Sequence, residues 1–236
     1  MTRSDGGADE VRGKGSGRRP LDRDRIAAAA LRLIDAEGLD GLSTRKLGRA
    51  LGVEAMSLYH HFASKGDLLD AVAERLLSDV AVPAWRPGAD WVDWIRQLAR
   101  SYRAVALRHP NAFLLLAGRR FNTDAAFRFL ETHLGVLADA GFDPPSAARV
   151  FRTVGYFLNG AGLADVATLT AAADRSAPPR METLAHTEDF PHVRRAAPHL
   201  ARPALDGIFE FGLETLLDAL ARAPKRRPPD TARHDG

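Results

Sequence analysis

Residues 43–71, "STRKLGRALGVEAMSLYHHFASKGDLLDA", gather side chains suited to holding a polyanion. Arg45 and Lys46 open the stretch, Lys65 lies near its end, and Ser57, Tyr59, His60 and His61 fall between them. Arginine has the reach and fork geometry to grip a guanine edge, whereas hydroxyl and imidazole donors suit phosphate oxygens. Ala55 and Met56 offer small or flexible apolar contact to thymine methyls. Lys65 falls where a following helix begins, so its ammonium adds to the positive end of that helix dipole. These groups bind and orient; none of them forms a catalytic constellation. His60 and His61 are neighbours in sequence and point to different helix faces, which argues against shared chelation of a metal.

Such a surface needs elements that hold it rigid. Ser43 predicts an N-cap for a helix through about Leu51, with Leu47 and Leu51 turned inward. Gly52 permits the left-handed turn that ends it. Val53 tucks under, and a second short helix is expected from about Glu54 to His60, burying Leu58 and leading to Phe62. Ahead of both, Asp22 caps a helix whose apolar positions Ile26, Ala30, Leu33 and Ile34 recur at helical spacing, and Gly38 closes it. A longer helix followed by two short ones around a glycine turn is a helix-turn-helix, which lays its second short helix in the DNA major groove.

Beyond this head the pattern remains helical, and the period of two expected of strands is almost absent. Leu69, Val72, Leu76 and Val80 stripe a helix over 68–81 that stops before Pro83. Trp91, Trp94, Ile95, Leu98, Tyr102 and Val105 stripe another, ending near His109. Further helices are expected over 111–118, 124–140, 144–172 and 203–221, the last following Pro203. A Pro-rich connection carrying His186, His192 and His199 precedes it. The fold class is therefore all-α: a three-helix head and a larger helical body. The expected domains are a disordered arm over 1–20, the helix-turn-helix over 21–67, a regulatory and dimerisation body over 68–222, and a mobile tail over 223–236.

Composition removes several alternatives. The 236 residues are 45% apolar and 27% charged, the balance of an ordinary globular protein, with a net charge of +3. No cysteine is present, which excludes disulfides, thiolate zinc sites and iron–sulfur clusters. The first twenty residues lack an apolar signal core, and the uncharged run Thr153 to Ala164 is too short to span a bilayer, so a cytoplasmic protein without a membrane partner is expected. Gly13-Lys14 is no phosphate loop, because Gly15 stands where Ser or Thr is required and Ala8 where the first Gly belongs. Neither a GxSxG elbow nor an HExxH pair occurs, and the carboxylates show no catalytic spacing, so no enzyme, metal site or cofactor is expected.

The stretch "GLSTRKLGRALGV…LYHHFASKGDLLDA" closely resembles the DNA-binding head of the TetR family of bacterial regulators. "DWVDWIRQLARSYR", "LADAGFDPPSAARVFRTVGYFLNG" and "FEFGLETLLDAL" extend the resemblance to the regulatory domain of the tetracycline-repressor type, so that it covers roughly 21–221. The resemblance implies that Arg45 and Ala55 read bases, that Met56 contacts the groove, and that Thr44, Ser57, Tyr59, His60, His61 and Lys65 contact the DNA backbone. Ala55 stands where the tetracycline repressor has a base-reading glutamine, so the operator sequence does not carry over. It further implies a homodimer built through the helices at about 144–172 and 203–221, released from a palindromic operator by a small-molecule inducer.

The residues agree on the dimer. Val150, Phe151, Val154, Phe157, Leu158 and Ala161 make one helix apolar nearly all round, with Gly155, Gly160 and Gly162 allowing close approach. The last helix carries more apolar residues, among them Leu205, Ile208, Phe209, Phe211, Leu213 and Leu217, than one buried stripe requires. Leu116, Ala81 and Ala164 occupy the positions matching two ligand-contacting histidines and an acidic residue of the tetracycline site, which argues against a tetracycline–metal ligand. The expected pocket lies around Tyr102, Phe113, Leu116 and Asn159, with Arg120 and His133 as polar contacts, and suits a largely apolar molecule, anionic if Arg120 faces inward. A ligand-independent DNA binder and a helical enzyme remain the competing readings.

Overall fold

The structure is a computed structural model that describes residues 20–119, 123–173, 190–200 and 205–225, with backbone alone at 171–173. Nine α-helices and no strand occur among the described residues: α1 (Arg23–Glu37), α2 (Thr44–Leu51), α3 (Lys65–Ser78), α4 (Trp91–Arg108), α5 (Phe113–Arg119), α6 (Asp124–Asp139), α7 (Pro144–Ala173), α8 (Pro191–Leu200) and α9 (Leu205–Arg222). The fold is all-α, with α1–α3 forming the head and α4–α9 the body. Residues 1–19 of the expected arm, residues 226–236 of the expected tail, Arg120, His186 and Pro203 lie outside the described residues.

Capping side chains set the helix starts. The Asp22 carboxylate accepts a hydrogen bond from the Arg25 amide at 2.7 Å, the Ser43 hydroxyl from the Lys46 amide at 3.3 Å, and the Ser64 hydroxyl from the Asp67 amide at 3.1 Å. The Ser64 cap explains why α3 starts at Lys65, three residues before the apolar stripe had suggested, and ends at Ser78 instead of 81. Val80 nevertheless folds back into the core. A second correction concerns the Pro-rich connection, where Pro191–Leu200 is helical. Pro191 sits at the tolerated first position, while Pro198 inside the helix reads in sequence as a breaker and concealed it. Within the segment expected as the tail, Lys225 accepts the Asp143 amide at 2.9 Å on its carbonyl and gives its ammonium to the Ala140 carbonyl at 2.8 Å.

One apolar core runs from Ile26 in α1 through Val72 and Leu76 in α3 to Val105 in α4 and Leu213 and Leu217 in α9. α3 is the shared element, packed against α1 on the head side and against α5 and α6 on the body side. Two polar bridges reinforce that junction. His109 at the end of α4 meets the Asp35 carboxylate on α1 at 2.8 Å, and Asn111 donates to the Asp35 carbonyl at 2.9 Å. Arg119, closing α5, donates to Asp70 on α3 at 2.6 Å. Within the body, α4 is tied to α9 by Arg96–Glu214 at 2.6 Å and Arg100–Glu210 at 2.7 Å, and Arg103 spans to Asp165 on α7 and Asp206 on α9. Gly162, expected at the dimer contact, serves the protomer's own packing: a Cβ there would lie 2.5 Å from the Phe113 ring.

Candidate nucleic-acid interface

The head is built around a turn with little steric freedom. Gly52 takes the left-handed conformation at φ 69°, and its amide closes α2 onto Arg49. Gly48 lets the next segment approach, since a Cβ there would lie 2.9 Å from the Val53 carbonyl oxygen. That segment, Ala55–His60, is the short helix expected from about Glu54, and it is wound as a 3-10 helix. Glu54 supplies no side-chain cap, and six residues between two tight turns favour the narrower winding. Its three-residue repeat has a consequence for recognition. Leu58 points into the core, while Met56 and Tyr59 stack as one row, 71% and 51% exposed.

The exit from this segment is fixed by groups that sequence spacing did not reveal. Arg23, at the start of α1, donates to the His61 carbonyl, pairs with Asp67 at 2.7 Å and lies 4.3 Å from the centre of the Phe62 ring. The hydrogen bond from Arg23 holds the Asp67 carboxyl below the usual carboxylate range, and Asp67 also accepts the Ala63 amide at 3.0 Å. Asp67 was legible as the fourth residue of a Ser64-x-x-Asp cap, but Arg23, 44 residues away, carried no local signal. Arg23 is exposed and Asp67 half-buried, and together they support the end of the reading segment.

Around it, Arg45 projects exposed from the first turn of α2, and Thr44 is half-buried beside it. Lys46 is drawn sideways into an ion pair with Glu37. Ala55 and Ser57 are half-buried, His60 is exposed and His61 is half-buried. The Lys65 ammonium donates to the Leu42 carbonyl at 3.3 Å, closing one end of a groove of about 300 Å³ lined by Ser43, Thr44, Tyr59 and Ser64. Ile26, Leu42, Leu58, Phe62 and Leu68 form its apolar floor, and the hydroxyls and the cation stand among them. Of the nine residues singled out in the sequence, Thr44, Tyr59 and Lys65 line this groove.

In the body, α9 divides its apolar residues between two faces. Phe209, Leu213 and Leu217 are buried, whereas Ile208 and Phe211 stand 61% and 77% exposed. Tyr156 and Leu163 on α7 are exposed as well. A separate cavity of about 50 Å³ lies between α4, α6 and α7. Tyr102, His133 and Asn159 line it, joined by Trp94, Phe129 and Phe151. Phe113 stacks edge-on behind Tyr102 at 5.7 Å, while Leu116 is fully buried and does not border the cavity. Among the described residues no cluster of three His, Asp or Glu could hold a metal, and no helix is long and apolar enough to cross a membrane.

A rigid helix-turn-helix with an exposed reading segment, on a helical body with a broad apolar face, defines a dimeric DNA-binding regulator. Residues 26–72 match the family of bacterial regulatory proteins called tetR, and residues 83–223 match the tetracyclin repressor-like C-terminal domain. The tetracycline repressor protein class A from transposon 1721 of Escherichia coli is 34% identical over 86% of this chain and 91% of its own. The repressor DrrR1 of Streptomyces coeruleorubidus is 29% identical over 92% and 86% of the two chains. A possible TetR family regulator from Streptomyces coelicolor A3(2) superposes with a TM-score of 0.73 at 35% identity, over 85% and 98% of the two chains. Streptomyces coelicolor ActR in complex with actinorhodin gives 0.69 at 28% identity, over 86% and 96%. The chain belongs to the TetR family, as a transcriptional regulator of the tetracycline-repressor type that binds operator DNA as a homodimer.

Proposed function

We propose that the protein represses transcription by occupying a palindromic operator and leaves it when a small, mainly apolar molecule fills the cavity between α4, α6 and α7. Arg45, Ala55 and Met56 read base edges; Thr44, Ser57, Tyr59, His60, His61 and Lys65 hold the phosphates. The carrying observation is the exposed Met56–Tyr59 row beside the Lys65 groove, on a segment that Leu58 anchors in the core. Arg120 and the tetracycline-type metal play no part in this reading, and the cavity binds without catalysing a reaction. Operator binding in the cytoplasm follows from the role.

Release works through the junction. A 50 Å³ space is small for an organic ligand, so binding must widen it by separating α4 from α6. α4 ends at the His109–Asp35 bridge to the head, so a shift of its end turns α1 and alters the spacing of the two reading segments. Ligand affinity and operator affinity are then reciprocally coupled. The test is selection of duplexes from a random pool, followed by substitution. Arg45→Ala is expected to weaken the recovered operator by roughly 1–3 kcal/mol and to relax preference at one position in each half-site. Unchanged affinity and preference would remove Arg45 from the base-reading set.

A further inference from the structure

The cavity contains a polar group with no partner. His133 is 6% exposed and sits on α6 among rings: Trp94 at 5.0 Å and Phe151 at 5.7 Å edge-on, with Phe129 at 4.0 Å. Its Nδ1 faces the Phe129 carbonyl one turn back on the same helix, an interaction that requires the proton on Nδ1. Nε2, at the tip of the ring and away from its own backbone, is then a lone-pair acceptor. It is buried and makes no hydrogen bond. The neighbouring donors are committed elsewhere. The Trp94 indole N–H donates to the Pro83 carbonyl at 2.8 Å, and the Tyr102 hydroxyl donates to Asn159 Oδ1 at 2.7 Å. Native interiors rarely leave such an acceptor unsatisfied.

We infer that the inducer is a flat, neutral aromatic molecule that donates a hydroxyl hydrogen bond to His133 Nε2 from between the surrounding rings. The inference rests on the repressor reading and specifies the ligand that it requires. A neutral donor fits where an anion does not: the cavity walls are almost wholly apolar, and a carboxylate would meet a lone pair instead of a proton. Burial supports the same assignment, since it lowers the His133 pKa to about 4 and keeps the ring neutral near pH 7. The Tyr102–Asn159 hydrogen bond ties α4 to α7 across one wall, and His133 Nε2 is the buried acceptor left open there. An acceptor awaiting a donor also discriminates sharply, because a ligand without a donor leaves it unsatisfied.

The test uses the full-length dimer, free of DNA, with three naphthalenes of nearly equal size: 2-naphthol, 2-methoxynaphthalene and 2-naphthoate. Calorimetry is expected to show 2-naphthol binding at least tenfold more tightly than either of the others. His133→Phe should keep the ring packing and bring naphthol to the level of the methyl ether. Nitrogen-15 spectra of the wild type should show an Nδ1–H tautomer without probe and a shift confined to the Nε2 resonance when naphthol is added. Equal affinities for the three probes, stronger binding of naphthoate, no naphthol binding at its solubility limit, or an Nε2–H tautomer would each overturn the inference. Operator binding is measured on the same preparations without probe. Its retention alongside failed discrimination would sink the ligand class while leaving the repressor reading in place; its loss in the wild type would sink the latter.

Discussion

Phe211→Glu is expected to convert the dimer into monomers and to abolish operator binding at concentrations that saturate the wild type. Phe211 and Ile208 stand 77% and 61% exposed on α9, and Tyr156 is 66% exposed on α7, although the protomer has already buried Phe209, Leu213 and Leu217 from the same helix. An apolar face left after the core is filled belongs to a partner. Burial of one phenylalanine contributes about 1.5–3 kcal/mol, and two-fold symmetry applies the change twice. The dimer dissociation constant should therefore rise by roughly a hundred- to ten-thousand-fold, before counting repulsion between the two new carboxylates. Sedimentation velocity checks the assembly state and operator titration the consequence, with far-ultraviolet circular dichroism expected to remain helical. A variant that stays dimeric at micromolar concentration would show that the contact lies elsewhere.

The second large effect concerns the most deeply buried ion pair of the body among the described residues. Arg103 and Asp165 have side chains only 11% and 9% exposed, and they meet at 2.6 Å across α4 and α7. Asp206, which also binds Arg103, is 89% exposed and is worth little by itself. Asp165→Ala leaves a buried guanidinium with one solvated partner and an Nη2 that already lacks a hydrogen bond. Removing one member of such a pair costs about 3–5 kcal/mol, here toward the lower figure because Asp206 remains. Replacing both members, Arg103→Met with Asp165→Leu, should restore most of that loss, since the penalty comes from the stranded charge and not from the missing attraction. Urea unfolding at fixed protein concentration compares the three proteins. Equal stability of the single variant and the wild type would mean that solvent reaches Arg103 freely.

The head was nearly complete in the sequence because its information is local. Ser43 and Gly52 announce their own backbone geometry, and Leu47, Leu51, Leu58 and Phe62 give the inward spacing that the structure repeats. The winding of Ala55–His60 was not legible, because six residues do not distinguish a 3.6 from a 3.0 repeat. Arg23 escaped notice because its role exists only once α1 lies beside the end of the reading segment. The body followed the same division. Helix positions came from stripes and caps, whereas α8 was hidden by Pro198 and its fixed backbone angle. In the cavity, His133 and Tyr102 were visible as residues, but the unsatisfied Nε2 depends on three helices meeting. Apolar periodicity identifies which face is buried without saying which neighbour covers it, and so Leu116 and Gly162 proved to belong to the core.

The decisive experiment is methylation interference on a duplex recovered by selection, with the full-length dimer and low ionic strength. Two major-groove patches on the same face of the helix, related by a dyad and about 34–36 Å apart or a multiple of it, are the expected pattern, with two chains per duplex. A single patch, contacts confined to the minor groove, or equal binding to all duplexes would mean that the Ala55–His60 segment does not read DNA in pairs.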